Sequence, residues 1–489
     1  MHYCLCIVLV AGIPFADAAD AEKDDTEIAV AVEFELAASE YVPAHLVDVK
    51  SSQGIVTLSG SVDSLLARDH AVRIAESIKG VRSVVNRITV NPVARPDMRI
   101  QNDVTNALYF DAVTDEFEID ASVDAGVVTL TGNVDSWAEK DIAEQVVKGI
   151  KGIRAIKNQI DVKYDTERPD AEIRTEIERR LQIDPFINDG LIVVSVEEGE
   201  VVLTGTVGSA VEKTRTVSRS WVAGVSSVDT SKLNIEPWAK EPMKREKKWV
   251  PKTDEAVRKA VEDALFYDPR TLSFDIDVQA RGGLVTLRGE VDNLEAKKAA
   301  ENDARNTVGV AGVTNLIRVR PVRMFTDDEI AARVRASLRW DPVVERHEIS
   351  LMVRNAKVFL YGTVDSYYER SHAEEVVESV LGVVDVRNNL DVAPYRGWKS
   401  DRRIRQDIES QYFWSIFVDG GDIDIRVSER EATLSGTVDS WAELYAAVEN
   451  AFEGGAETVR SKLAIEGTGQ QPTLIYYHED YDPLFTWVW

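Results

Sequence analysis

Thiol chemistry has almost nothing to work with in this chain. Cys4 and Cys6 are the only cysteines among 489 residues, and both lie in the first apolar stretch. With that stretch removed, the chain can form no disulfide and offer no thiol nucleophile. Six histidines, at positions 2, 45, 70, 347, 372 and 478, are scattered without metal-ligand spacing. There is no phosphate-binding glycine loop, dinucleotide fingerprint or nucleophile elbow. No cofactor, metal or catalytic residue is therefore expected. Positive charge is short too, with 57 Lys and Arg against 84 Asp and Glu and a formal net charge of −27. Phosphate backbones reward cations, so nucleic acid is disfavoured as a partner. Non-specific adsorption to anionic lipid is opposed as well, and any lipid contact must be local. Beyond the first residues, no apolar run approaches the about 20 residues that cross a bilayer.

What is present begins with an export signal. Tyr3 to Phe15 is largely apolar, and Ala16 and Ala18 have the small-residue spacing of a signal-peptidase site. The expectation is a signal peptide over 1–18 and a soluble periplasmic protein after cleavage. One departure is that no Lys or Arg precedes the apolar run. Cys4 and Cys6 lie inside the run rather than after it, which argues against a lipid-anchored cysteine.

The chain then repeats itself six times. A Val-x-Leu-x-Gly-x-Val phrase, with Ala432 for the first Val in the last copy, places its glycine at Gly60, Gly132, Gly205, Gly289, Gly362 and Gly436, at intervals of 72, 73, 84, 73 and 74 residues. A second glycine follows each by 19 or 20 residues, at Gly80, Gly152, Gly224, Gly309, Gly382 and Gly455. Two glycines held in register six times mark a tandem repeat. The expected modules are 24–92, 97–164, 169–237, 253–321, 326–394 and 400–466. A basic linker occupies 238–252 and an aromatic tail 467–489.

The fourth copy reads most clearly. Thr253 or Asp254 caps a helix with Val257, Val261 and Leu265 on one face. Asp268-Pro269 stops it. Phe274, Ile276 and Val278 alternate as a strand, Gly282-Gly283 turns, and Val285, Leu287 and Val291 alternate again. A second helix runs from about Asn293 to Thr307, with Gly309 placed as a C-cap glycine. Val313 to Val319 makes the last strand. The fold class is α+β: six αββαβ modules, each a small three-stranded sheet covered by two helices. Gly60 and its equivalents are expected to let a helix approach the sheet or to mark a bulge.

Polar residues recur at the start of the second helix. Ser136 with Glu139, Ser209 with Glu212, Ser366 with Glu369 and Ser440 with Glu443 have capping-box spacing. Ser64 and Asn293 keep the cap without the glutamate. A catalytic Asp-Ser pair would be the sharper reading, but no histidine accompanies it.

With these features in hand, the chain resembles the BON domain family. The likeness rests on module length, element order, the glycine phrase, the Asp-Ser helix start and closing strands such as Gly152 to Asn158 and Gly382 to Asn388. Copies three and six depart most, with Gly208 in place of Asp and Gly455-Ala456 in place of Gly-Val. The resemblance implies a non-catalytic protein of the bacterial envelope. It would bind phospholipid surfaces or maintain envelope integrity, including under osmotic stress. The other reading is a periplasmic adaptor or multivalent scaffold without lipid affinity, its partners being envelope proteins. Oligomeric state is left open.

Two basic-aromatic stretches are the candidate contacts. The linker supplies Trp238, Lys244, Arg245, Lys247, Lys248 and Trp249, and the junction of copies five and six supplies Arg396, Trp398, Lys399, Arg402 and Arg403. Anionic headgroups suit them. So does the plainer reading of linkers whose charges pair with acidic neighbours. The long linker also divides the chain into two three-module halves. Trp137, Tyr367, Tyr368 and Trp441, with Leu65 and Leu294 equivalent, open the second helices. They are either an interface or staples on the preceding strand. The tail crowds Tyr476, Tyr477, Tyr481, Phe485, Trp487 and Trp489 together, for packing on module 6 or for a partner.

Overall fold

The computed structural model describes residues 24–39, 41–114, 117–163, 168–240, 252–344, 348–393, 399–465 and 474–477. The six repeats are six α+β modules with one plan. In module 1 a helix Asp25–Ala38 leads to strands Val47–Ser52 and Ile55–Val62, a second helix Leu65–Glu76 and a strand Ser83–Val90. The glycine-bearing strand is central. It pairs antiparallel with the first strand, Val47 opposite Gly60, and parallel with the third, Gly60 opposite Ile88. The parallel pair needs a crossover, which the second helix supplies.

Each core follows from the alternation. Val56, Leu58 and Val62 point to the helical side and are at most 2% exposed, against Ile28, Val32 and Leu36 four residues apart on the first helix. Each such side chain contributes about 1.5–3 kcal/mol on burial. A unit of this size still buries only about 60% of its unfolded surface and is marginal by itself. Packing modules together is the remedy available to the chain.

That packing has a definite order. In module 1 the Lys79 N–H donates to the Trp414 carbonyl of module 6 (2.8 Å), and the Ile416 N–H returns a bond to Ser77 O (3.2 Å). In modules 2 and 5 the Leu381 N–H donates to Phe110 O (2.7 Å), Ala112 N–H to Ser379 O (2.9 Å) and Lys151 N–H to Trp340 O (2.8 Å). In modules 4 and 3 the Val308 N–H donates to Ile183 O (2.9 Å). In all four, the residue before the second glycine donates to the last residue of the partner's first helix. The modules thus pair 1 with 6, 2 with 5 and 3 with 4. Lateral contacts close the first half into a triangle: Lys148 with Asp69 (3.0 Å), Trp137 Nε1 with Val225 O (3.0 Å) and Thr214 with Glu76 (3.2 Å).

Four sequence expectations need correcting. The second helices end before the second glycine, with C-caps at Ser77, Gly149, Trp221, Asn306, Ser379 and Gly454. In modules 1–5 the second glycine therefore sits in the following turn, at φ +87 to +98°, and not at the cap, whereas Gly455 directly follows the Gly454 cap at φ +105° and closes the helix with Gly455 N–H on Phe452 O (2.8 Å) and Ala456 N–H on Ala451 O (3.1 Å). What crowds it is the lead-in to, or the start of, the module's own first helix. A Cβ on Gly152 would meet Arg95 at 2.9 Å, and one on Gly382 would meet Phe325 at 2.7 Å. The central-strand glycine is not a helix contact either, since a Cβ on Gly60 would lie 2.0 Å from Leu46 O at the start of the neighbouring strand. The last strand of module 4 is split into Gly312–Asn315 and Arg318–Val319, at the point where the Asn315 side chain accepts from Ile317 N–H (3.1 Å), a bond that Asn86, Asn158 and Asn388 make within unbroken strands. Phe274 precedes its strand, which is Ile276–Arg281.

Candidate functional site

No described cluster of three or more His, Cys, Asp or Glu residues could hold a metal. The polar residues that recur are tied into the fold, and the first such set was missed in the sequence. The opening residue of each first helix is an aspartate: Asp25, Asp97, Asp170, Asp254, Asp327 or Asp401. Its carboxylate accepts the backbone N–H groups of the hairpin turn 28 and 29 residues later, except that Asp254 holds only Gly282 N–H, 28 residues on (2.7 Å). Asp401 takes Glu429 N–H and Arg430 N–H, both at 3.0 Å, and Asp327 takes Asn355 N–H (3.0 Å) and Ala356 N–H (2.9 Å). In module 1, bonds from Ser51, Gly54 and Gln53 hold the Asp25 carboxyl below its usual value. Glu429 and Arg430 lie at φ +52° and +64°, a left-handed turn that neither residue favours. The signal was a fixed aspartate-to-turn spacing, visible only once the turn is placed. Asp401→Ala should speed amide exchange at Glu429 and Arg430 roughly tenfold, at the scale of one charge-assisted bond. Asp254→Ala should do less, because its turn is Gly282-Gly283. Equal effects in the two hairpins would show that the clamp does not hold the strained turn.

The caps of the second helices accept from the third helical residue: Ser136 from Glu139 N–H, Ser209 from Glu212 N–H, Ser366 from Glu369 N–H and Ser440 from Glu443 N–H, at 3.1–3.2 Å. Glu369 also takes the Ser366 N–H (3.2 Å) and so completes a capping box, and all four glutamates reach one residue further back than that box requires. Glu139 takes Asp135 N–H (2.9 Å), Glu212 takes Gly208 N–H (2.7 Å), Glu369 takes Asp365 N–H (2.8 Å) and Glu443 takes Asp439 N–H (2.8 Å). The second oxygen of Glu212 holds Asn188 N–H and that of Glu443 holds Asp419 N–H, tying the helix start to the loop before the first strand. Burial pushes the Glu443 carboxyl up to about 7, against these bonds.

Of the candidate contacts, Lys244, Arg245, Lys247, Lys248, Trp249, Arg396 and Trp398 lie outside the described residues. Trp238 sits half-exposed in the turn Pro237–Lys240. Lys399 is engaged with its own module, its ammonium bonding Gly454 O (3.2 Å) and Asp407 (3.0 Å), while Arg403 pairs with Asp407 (2.9 Å). Arg95 and Arg168 do the same in modules 2 and 3, bonding Lys151 O (2.8 Å) and Ala223 O (3.0 Å). Lys399 thus belongs to a repeated pin that secures the turn of the second glycine. Arg402 is exposed on the same helix.

Two of the aromatics at the second-helix starts, Trp137 and Tyr368, are mortar between modules. Trp137 lies against Trp221 of module 3, with ring centroids 4.3 Å apart, and Tyr368 stacks on Tyr41 of module 1 at 5.1 Å. Trp441 is half-buried against Tyr445 (5.3 Å), Tyr367 is half-buried, and Leu65 and Leu294 are buried. Tyr476 and Tyr477 belong to a short strand, Leu474–Tyr477, that adds antiparallel to the last strand of module 6. Tyr481, Phe485, Trp487 and Trp489 lie outside the described residues.

The interfaces also bury charge. Asp184, 1% exposed, holds Arg215 (2.7 Å) and Arg219 (2.9 Å) beside the junction with module 4. His372 pairs with Asp341 (2.8 Å). Burial opposes its charge, but Asp341 and Glu375 prevail and raise it to about 10. Between modules 1 and 6, burial pushes the Glu35 and Glu453 carboxyls up, with Gln411 donating to Glu35 (2.8 Å). This arrangement binds modules to one another and shows no reactive constellation among the described residues.

With that geometry established, likeness to known proteins is informative. The BON domain pattern matches residues 24–92, 96–164, 169–237, 253–321, 326–394 and 400–467. Osmotically-inducible protein Y of Escherichia coli (strain K12) is 29% identical over 147 residues, 29% of this chain and 73% of that protein. Among solved structures, CdsD, a structural protein of the type III secretion system of Chlamydia trachomatis, is 14% identical. That likeness covers 46% of this chain and 94% of CdsD at a TM-score of 0.13.

Proposed function

Since the chain belongs to the BON domain family and carries six copies in tandem, we propose that it is an exported, non-catalytic protein of the bacterial envelope that binds anionic phospholipid surfaces. The observation that carries this reading is the position of the linker. On a chain of net charge −27, Trp238, Lys244, Arg245, Lys247, Lys248 and Trp249 gather cations and indole rings in one short stretch between the two halves. Cations attract headgroups and indoles suit the membrane interface. The second stretch contributes less, because Lys399 and Arg403 are committed to Asp407. No described helix is long and apolar enough to cross a membrane, so the contact proposed is peripheral. The name of the Escherichia coli relative supports a setting of osmotic stress.

Flotation with vesicles tests this. The mature protein should float with anionic vesicles at low salt, and not with neutral ones. Replacing Lys244, Arg245, Lys247 and Lys248 with glutamine should weaken binding on the order of 100- to 1000-fold, at about 1 kcal/mol per cation. Absence of binding to any vesicle would end the phospholipid reading. One observation supports the alternative of a protein adaptor: Leu474–Tyr477 adds to a sheet edge of module 6, and the equivalent edges of modules 1, 2, 3 and 5 carry no added strand among the described residues. Copurification of one envelope protein, without lipid affinity, would favour it.

A further inference from the structure

We propose that the face which modules 1, 2 and 3 turn toward modules 6, 5 and 4 is a chain-to-chain docking surface, and that its partner is the complementary half of a second copy of this chain. Three observations lead there. First, the contact is self-complementary. In the 2–5 pair the Leu381 N–H of module 5 donates to Phe110 O of module 2 while the Lys151 N–H of module 2 donates to Trp340 O of module 5, so each module presents the same donor and acceptor to the other. The 1–6 pair makes one side of the same contact, with Lys79 N–H on Trp414 O and Ile416 N–H returning to Ser77 O. Second, the pairing order is reversed between the halves. Two chains that exchanged halves would therefore close with the same contacts around a two-fold axis and leave no surface open. Third, the halves meet through side chains as well as backbone. Trp340 of module 5 is 5% exposed inside the apolar cluster of modules 1–3, and Arg179 of module 3 pairs with Asp263 of module 4 at 2.6 Å.

None of these contacts uses residues 241–251, the covalent connection between the halves. Separation would strip partners from the backbone N–H groups of Lys79, Lys151, Val308 and Leu381, which drives an opened half toward another complementary one. Within one chain the tether supplies an effective concentration on the order of millimolar. Closure in cis thus wins in dilute solution, and exchange between copies takes over when closure is interrupted at high concentration.

A protease site placed within 241–251 of the full chain tests this. The folded protein is cleaved, and a ¹⁵N-labelled preparation is mixed with an unlabelled one and followed by native mass spectrometry. The expected result is that cleaved halves travel as one particle and that pairs of one labelled and one unlabelled half appear, at the statistical share after a cycle of denaturation and refolding. Uncleaved chain refolded at high concentration should yield a dimer. Halves that part on cleavage would overturn the proposal. So would halves that refold yet never form mixed pairs. Lys151→Pro with Leu381→Pro removes two donors of the 2–5 pair and should loosen the cleaved particle while circular dichroism stays unchanged. If that variant unfolds, the mixing of unmodified halves still decides.

Discussion

Asp184→Ala should cost about 3–5 kcal/mol, the loss expected when one partner of a buried ion pair is removed. The carboxylate is 1% exposed and accepts Arg215 Nε at 2.7 and 2.8 Å, Arg219 Nε at 2.9 Å and the Phe186 N–H at 3.0 Å. Removing it leaves the Arg215 guanidinium, itself 3% exposed, without its counterion. Water cannot reach in to compensate, so the desolvation of that cation is felt in full. The loss should extend beyond module 3, because the preceding residue, Ile183, gives its carbonyl to Val308 of module 4. Denaturant titration should show an early transition confined to modules 3 and 4, with the rest of the chain unfolding later. Asp385→Ala is the control. Its pair with Lys357 spans 3.0 Å, but the side chains are 30% and 49% exposed, and exposed pairs contribute about 0–1 kcal/mol. If the two substitutions cost the same, the buried pair does not organise this junction.

The second large effect is expected at the glycine of the repeated phrase. A Cβ on Gly436 would stand 1.9 Å from Asp422 O, at φ +135°. Alanine there must push two paired strands apart or abandon the backbone angle, and the angle alone is worth about 1–3 kcal/mol. Gly60, Gly132 and Gly205 face the same carbonyl at 2.0–2.1 Å, whereas Gly289 and Gly362 face it at 2.6 and 2.8 Å. Alanine should therefore lower the thermal midpoint more at Gly436 and Gly60 than at Gly289 and Gly362. Gly282→Ala should cost only about 1 kcal/mol, for its left-handed angle of φ +57°, since a Cβ there meets nothing within 4 Å. A flat response across all five positions would show that the strand approach is not what these glycines serve.

Much of this architecture was legible beforehand. The six copies, their element order and the capping serines all depend on neighbours within a few residues, and such patterns are written directly in periodicity and cap chemistry. Asp401 escaped notice because its partners lie 28 and 29 residues away, across a hairpin whose strained turn gives no local sign of needing a carboxylate. Lys399 was left between two readings for a related reason. A lysine in a junction looks free until Gly454 O and Asp407 are folded against it.

The amino-acid order by itself determined what one module is: two helices on three strands, with a valine and leucine core and glycines where side chains cannot stand. Only the tertiary structure decided how six such units meet. Trp137 and Tyr368 read, within their own copies, as an interface or as staples on the preceding strand. They become contacts between modules because a unit of about 69 residues cannot bury enough apolar area alone and must borrow its neighbours'. That borrowing depends on the order 1–6, 2–5 and 3–4, a relation between residues hundreds of positions apart. No local pattern encodes it, since the docking groups are mainly backbone N–H and C=O, which every residue other than proline carries.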